Sequence, residues 1–229
     1  MEVSFKHIAR IRTDFQEKFG IPRQAGRAPS AVGKIVFEPG YRDPEALRGI
    51  KGFSHLWLLF DFSLAHREEW SPTVRPPRLG GNERTGVFAS RSPFRPNPIG
   101  LSCVKLERVE QTESEGTVLI VSGCDLLDNT PTFDIKPYIP FADSIPDAKG
   151  GYADEHREHK LEVVFPEELK KLVPEEKLAA LTESLEDDPR PSYQSDPERI
   201  YGMRYAGLDV RFRVSDGKAE VVEINRAAH

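Results

Sequence analysis

Three prolines set the strongest limit on what this chain can fold into. Pro93, Pro96 and Pro98 fall within RTGVFASRSPFRPNPIGLS, the stretch from Arg84 to Ser102. Each lacks a backbone N–H and fixes φ, so neither a helix nor a central strand can run through them. The middle of the stretch is therefore a loop. It is held between two apolar runs and carries Arg91 and Arg95. A second piece, DNTPTFDIKPY from Asp128 to Tyr138, has the same character. A core needs neither arginines nor tight Pro/Gly turns, and loops anchored by strands commonly carry binding chemistry.

The rest of the chain reads mainly as short β-runs. Val3 to Thr13 is expected to be a first strand, and Ala31 to Glu38 a second. DPEALRGI, from Asp43 to Ile50, predicts one or two helical turns after its Asp-Pro start. Phe53 to Phe62 is apolar almost throughout, with Trp57 at its centre, the pattern of a strand buried on both faces. Ile99 to Val109 places Leu101, Cys103 and Lys105 on one face, with Val104 and Leu106 on the other. Thr117 to Cys124 is a further strand. Short strands parted by Gly/Pro turns predict a barrel or sandwich. A Rossmann-type sheet is disfavoured, because no strand leads through a glycine-rich loop into a long helix.

Composition changes near Ala148 to Asp154. Residues 166–187 read as helix, with Leu169, Leu172, Leu178, Leu181 and Leu185 apolar and Pro174 as a break or restart. Leu208, Val210, Phe212 and Val214 alternate with charged residues, and Asp216-Gly217 then joins them to AEVVEI as a hairpin. The expected division is residues 1–150 as a β-domain and 151–229 as a small α+β appendage.

The net charge of −5 is unevenly spread. Residues 143–200 hold 16 acids against 8 Lys and Arg. Residues 70–106 hold Arg75, Arg78, Arg84, Arg91, Arg95 and Lys105 against Glu83 alone. Local charge steers a polyanion, so this basic stretch is the candidate phosphate-binding surface. No apolar run approaches the roughly 18 residues of a membrane span, and MEVSFKHIAR lacks a secretory h-region. Cys103 and Cys124 form neither a disulfide framework nor a zinc site and read as buried free thiols. His156 and His159 have a metal-like spacing but no third ligand, so no metal is assigned. A cytoplasmic location is expected.

Six blocks in order resemble the TsaA-like tRNA methyltransferase family. They are PRQ (Pro22 to Gln24), FSHLWLLF from Phe53, TVRPPRLGGN from Thr73, the two stretches above, and DPRPSY from Asp188. The resemblance implies a single-sheeted β-barrel that uses S-adenosylmethionine (SAM) as methyl donor. It also implies an acceptor at N6 of threonylcarbamoyl-adenosine, position 37 in the anticodon loop of tRNA, and a homodimer with the cofactor pocket near the subunit contact. By the same resemblance the cofactor residues are Pro22, Arg23, Gln24, His66, Arg67, Arg91, Leu101, Asp128, Asn129, Thr130 and Pro131. Asn129 stands where the family usually has Gly, and Asn tolerates the left-handed backbone such a turn needs.

The acceptor nitrogen is a urea-type N–H and a poor nucleophile while neutral. Transfer therefore needs in-line placement and removal or polarisation of its proton. Asp134 and Tyr138 are the candidates for proton handling. Lys136 is the candidate partner for developing charge or for the threonyl carboxylate. Arg75, Arg78, Arg84 and Arg95 are expected to contact RNA. Taken singly, PRQ is an ordinary exposed turn, His66 a surface histidine, DNTP a turn, and Asp134 and Tyr138 rim structure. Two other readings stand beside the first: a non-catalytic SAM- or RNA-binding module, and a SAM methyltransferase with a small-molecule acceptor.

Overall fold

The computed structural model describes residues 3–76, 83–156, 159–191, 194 and 196–227. Six strands close into an antiparallel barrel. They are β1 (Ala9–Thr13), β2 (Val32–Phe37), β3 (His55–Asp61), β6 (Ile99–Thr112), β7 (Gly116–Ser122) and β8 (Thr130–Pro137), in the order β1-β2-β7-β6-β3-β8. β1 seals the barrel by pairing with both β2 and β8, so that Ile11 lies opposite Ile35 on one side and Thr130 on the other. Closure leaves no free sheet edge in this unit.

Alternation explains the barrel's filling. Ala9, Ile11, Ile35, Leu56, Leu58, Val104, Leu119 and Val121 point inward and form one core cluster. β3 is not buried on both faces, as its apolar run predicts. Leu56, Leu58 and Phe60 are buried, whereas His55, Trp57 and Leu59 are half-buried on the outer face. Only Ala9–Thr13 of the expected first strand is β. Cys124 is buried but Cys103 is half-buried on the outer face of β6, and both are free thiols. Gly100 on β6 is required by a close approach, since a Cβ there would lie 2.1 Å from the Phe60 ring. A short ribbon, β4 (Thr73–Val74) with β5 (Thr85–Gly86), stands outside the barrel.

After a helical turn, α1 (Pro140–Asp143), the chain builds a second sheet. Its order is β10 (Ile200–Tyr205), β11 (Leu208–Ser215), β12 (Lys218–Arg226) and β9 (Glu162–Val164), with β9 parallel to β12. Pro174 divides the helical stretch into α2 (Glu167–Lys170) and α3 (Glu175–Glu186). Asp216 and Gly217 both take positive φ in the β11–β12 turn, as the Asp-Gly signal demands. Leu181 and Leu185 of α3 pack with Val210, Phe212 and Val214 of β11. Phe15, Ala28 and Ala31 from the N-terminal part of the chain complete this second core. Phe15 also bridges to Tyr205, so the two units share a seam. Among the described residues no helix is long and apolar enough to cross a membrane.

Candidate active site

A cavity of about 710 Å³ opens at one rim of the barrel. Four of the six sequence blocks meet there: Pro22–Gln24, the end of β3 at Phe60, the Pro-rich loop with the start of β6, and Thr130 at the start of β8. Most of its wall is apolar, including Ile21, Phe60, Phe62, Phe94, Ile99 and Leu126. Its carboxylates among the described residues are Asp61 and Asp125, and its cations are Lys18, Arg23, Arg91 and Arg95.

The charged groups are held differently. Arg91 donates through Nη1 to the side-chain oxygen of Gln24, a neutral partner. Arg95 donates to the Ser90 carbonyl at 3.1 Å. Arg23 is turned toward the C-terminal unit, where its guanidinium donates to the carbonyls of Asp188 (3.1 Å) and Arg190. PRQ and the DPRPSY block are therefore joined physically, and the Arg23 guanidinium holds the second block's backbone. Asp61 lies 2.7 Å from His66 Nε2 and 3.9 Å from His7 Nε2. Asp125 accepts from the Ser102 hydroxyl at 2.6 Å. Burial pushes its carboxyl up to about 6, against the downward pull of that hydrogen bond, of nearby backbone amides and of Arg91.

The structure sorts the remaining sequence candidates. Leu101 and Thr130 line the cavity. Asn129 has φ 63°, so the turn forms with Asn in the left-handed region. Asp128 faces away, pairing with Arg12 at 2.9 Å and accepting from the Thr13 amide at 3.0 Å. Neither Asn129 nor Pro131 is among the lining residues. His66 reaches the cavity through Asp61. Arg67 stacks over Phe94, 3.9 Å from the ring centroid, and lines a second hollow of about 760 Å³. Arg75, Arg84 and Arg95 line that hollow too, with Trp70, Phe94, Glu68 and Glu69. Phe94 and Arg95 form a wall common to both spaces. Arg78 lies outside the described residues.

Asp134, Lys136 and Tyr138 do not line the rim cavity. They belong to strand β8 and its end. Asp134 and Lys136 form an ion pair at 2.8 Å, and Tyr138 packs against Trp57. Cross-strand pairing puts Asp134, Leu59 and Leu101 in one row, and Lys136, Trp57 and Cys103 in the next. Leu101 is thus about two strand spacings, roughly 10 Å, from Asp134. Asp125 was missed by motif reading. The signal for it is an acid set in VSGCDLLD, where a buried run ends. Ser102 gives the same signal, as a polar residue at an inward position between Gly100 and Val104.

A closed antiparallel barrel with a mixed-charge cavity at its rim and a small sheet docked beside it defines a two-part β-protein with a candidate ligand site. Comparison makes this specific. Residues 10–144 match the family model for the tRNA-methyltransferase O N-terminal domain, and residues 158–227 match that for the C-terminal domain of the same family. The chain belongs to the tRNA-methyltransferase O family. It is 44% identical over 225 residues to the tRNA (adenine(37)-N6)-methyltransferase of Escherichia coli K12, covering 95% of both chains. It is 49% identical over 169 residues to the enzyme of that name from Eikenella corrodens, covering 73% of this chain and 94% of the relative. The crystal structure of TrmO from P. aeruginosa superposes with a TM-score of 0.81 at 37% identity, covering 99% of this chain and 98% of the other.

Proposed function

We propose that this chain is a SAM-dependent tRNA methyltransferase acting on N6 of adenosine 37, and that its acceptor is the threonylcarbamoyl-adenosine form of that nucleoside. The observation that carries the reading is the rim cavity, where four of the sequence blocks shared with the family converge on apolar walls with two carboxylates and four cations. SAM combines an adenine, a ribose, a sulfonium, an ammonium and a carboxylate. The cavity offers a volume of about 710 Å³, the aromatic walls Phe60, Phe62 and Phe94, the carboxylates Asp61 and Asp125, and Arg91. This donor set fits that ligand. Bound SAM supplies the electrophilic methyl group.

The protein's own part is placement and charge. Phe94 and Arg95 join the cavity to the hollow lined by Arg67, Arg75 and Arg84, which suits an anionic nucleotide beside the donor. Trp70 and Phe94 add aromatic faces on which a splayed base can stack. Asp134, Lys136 and Tyr138 are proposed to handle the acceptor's proton and carboxylate from the outer barrel face. That face also carries an apolar strip on β6, with Ile99 39% and Leu101 52% exposed. We propose that two copies pair over this strip, which would bring the β8 residues to the contact. Sedimentation should show a dimer, and Leu101→Asp should shift it to monomer.

The direct test incubates the protein with SAM and with tRNA that carries or lacks the threonylcarbamoyl group, followed by mass spectrometry of the nucleosides. Methylation confined largely to the modified tRNA supports the reading. A site whose polar groups are placed for the threonylcarbamoyl moiety discriminates against an adenosine that lacks it. Equal methylation of both tRNAs would return the chain to a general adenine-37 methyltransferase.

A further inference from the structure

The two carboxylates in the rim cavity are not equivalent. Asp61 lies against two imidazoles, His66 at 2.7 Å and His7 at 3.9 Å. Asp125 has a hydroxyl partner, Ser102, and forms no ion pair among the described residues. Arg91 is complementary: it is a cavity cation bonded to the neutral Gln24 side chain and is close enough to Asp125 for the two charges to act on each other. A carboxylate and a guanidinium in one apolar-walled space, hydrogen-bonded to neutral partners and meeting each other's charge only through space, match a zwitterion.

We propose that Asp125 and Arg91 together grip the amino-acid end of the methyl donor, with the Asp125 carboxylate taking its α-ammonium and the Arg91 guanidinium its α-carboxylate. This rests on the SAM reading above and adds a residue that none of the sequence motifs assigned. Ser102, on β6, and the Ala25 amide, next to PRQ, hold the Asp125 carboxyl in place at the cavity wall. The charged and titratable groups in the cavity around Asp125 are Arg91 and Arg95 from the Pro-rich loop, the adjacent Cys124 thiol, Asp61 from β3, and Lys18 and Arg23 from the N-terminal segment. Burial holds the free carboxyl near 6, so an arriving ammonium favours its ionised form. Donor affinity should therefore fall as Asp125 takes a proton in mildly acidic solution.

The test is calorimetry on the full chain with three ligands, and with decarboxylated SAM as a fourth for the Arg91 variant. SAM and S-adenosylhomocysteine both carry the amino-acid end, the second without the sulfonium charge. 5′-Methylthioadenosine lacks that end. Asp125→Asn should weaken the first two about tenfold or more, as loss of a charged hydrogen bond does, and leave the third unchanged. Arg91→Ala should lose the preference for SAM over its decarboxylated analogue. In the wild type, SAM affinity should drop between pH 7.5 and pH 5 while that of 5′-methylthioadenosine stays level, a readout that needs no variant to fold. Parallel losses for all three ligands would mean that Asp125 shapes the loop or holds the nucleoside, which overturns the proposal. Loss for SAM with S-adenosylhomocysteine unaffected would place the carboxylate at the sulfonium and overturn it equally. A wild type that binds none of the three would remove the donor reading itself.

Discussion

The barrel rim and the C-terminal sheet use charge in opposite ways. In the C-terminal unit the charges are closed on one another. Asp188 takes Arg190 at 2.9 and 3.0 Å and lies 3.1 Å from His159, and Asp187 takes Arg27 at 2.6 Å. Despite burial, the hydrogen bonds from Arg190 and His159 hold the Asp188 carboxyl below its ordinary value. At the rim, Arg91, Arg95 and Asp125 rest on amides, carbonyls and hydroxyls. Their hydrogen bonds go to neutral groups, and Asp125 meets the charge of Arg91 only through space. The contrast separates charges tied to one another by short ion pairs from charges tied to neutral groups, within one chain.

The largest expected effect attacks the seam between the two regions. Phe15 is 2% exposed and belongs to the C-terminal core although it follows β1. Phe15→Ala should cost about 3–5 kcal/mol, read by chemical denaturation, with hydrogen exchange rising first in β10 to β12. Exchange rising first in the barrel would place Phe15 in the wrong unit. At the rim, Gly100→Ala drives a Cβ into the Phe60 ring and should cost about 1–3 kcal/mol. Because both residues line the cavity, SAM affinity should fall with stability, and an unchanged affinity would show that the ring moves away without cost.

Asp125 gives a pH signature opposite in sign to that of Asp188. Its folded value, about 6, lies above the ordinary unfolded carboxylate value of about 4. The free protein therefore binds this proton more tightly folded than unfolded, and stability falls as pH rises from about 4 through 6. Asp125→Asn should raise the stability of the ligand-free protein at pH 7.5, relative to pH 4, by about 1–3 kcal/mol. Asp188, held low, contributes stability above the unfolded carboxylate value that is lost as pH falls through its folded one. Equal pH profiles for Asp125→Asn and wild type would sink the assignment of an uncompensated rim charge. The smallest effect is at the second hollow. Arg84→Ala should flatten the salt dependence of tRNA binding by about one in slope and leave SAM affinity alone. An unaltered slope moves the RNA surface elsewhere.

Local signals in the sequence carried much of this fold. The three prolines marked the loop, the Asp-Gly pair marked the β11–β12 turn, Pro174 marked the break between helices, and β6 alternated as read. The strand β8 was hidden because Pro131, Pro137 and the DNTP turn mask its alternation. β9 is three residues long and pairs in parallel with β12, a contact no local pattern announces. The cofactor motifs led to the rim, but roles within them were not legible. Arg23 and Asp128 look alike as ligand-binding residues in sequence, yet the structure ties each to the protein itself. Asp125 shows no motif and emerges only when β6 and the β7–β8 connection are brought together.

The central claim is that the rim charges are open to the methyl donor and the C-terminal ones are not. Calorimetric titration of SAM into wild type, Arg91→Ala and Arg190→Ala tests it, with a denaturation curve for each. Arg91→Ala should lose affinity about tenfold or more at little cost in stability. Arg190→Ala should lose about 1.5–3 kcal/mol of stability and keep its affinity for SAM. Wild-type affinity in a folded Arg91→Ala protein, or a greater loss of SAM binding in Arg190→Ala, would contradict the division.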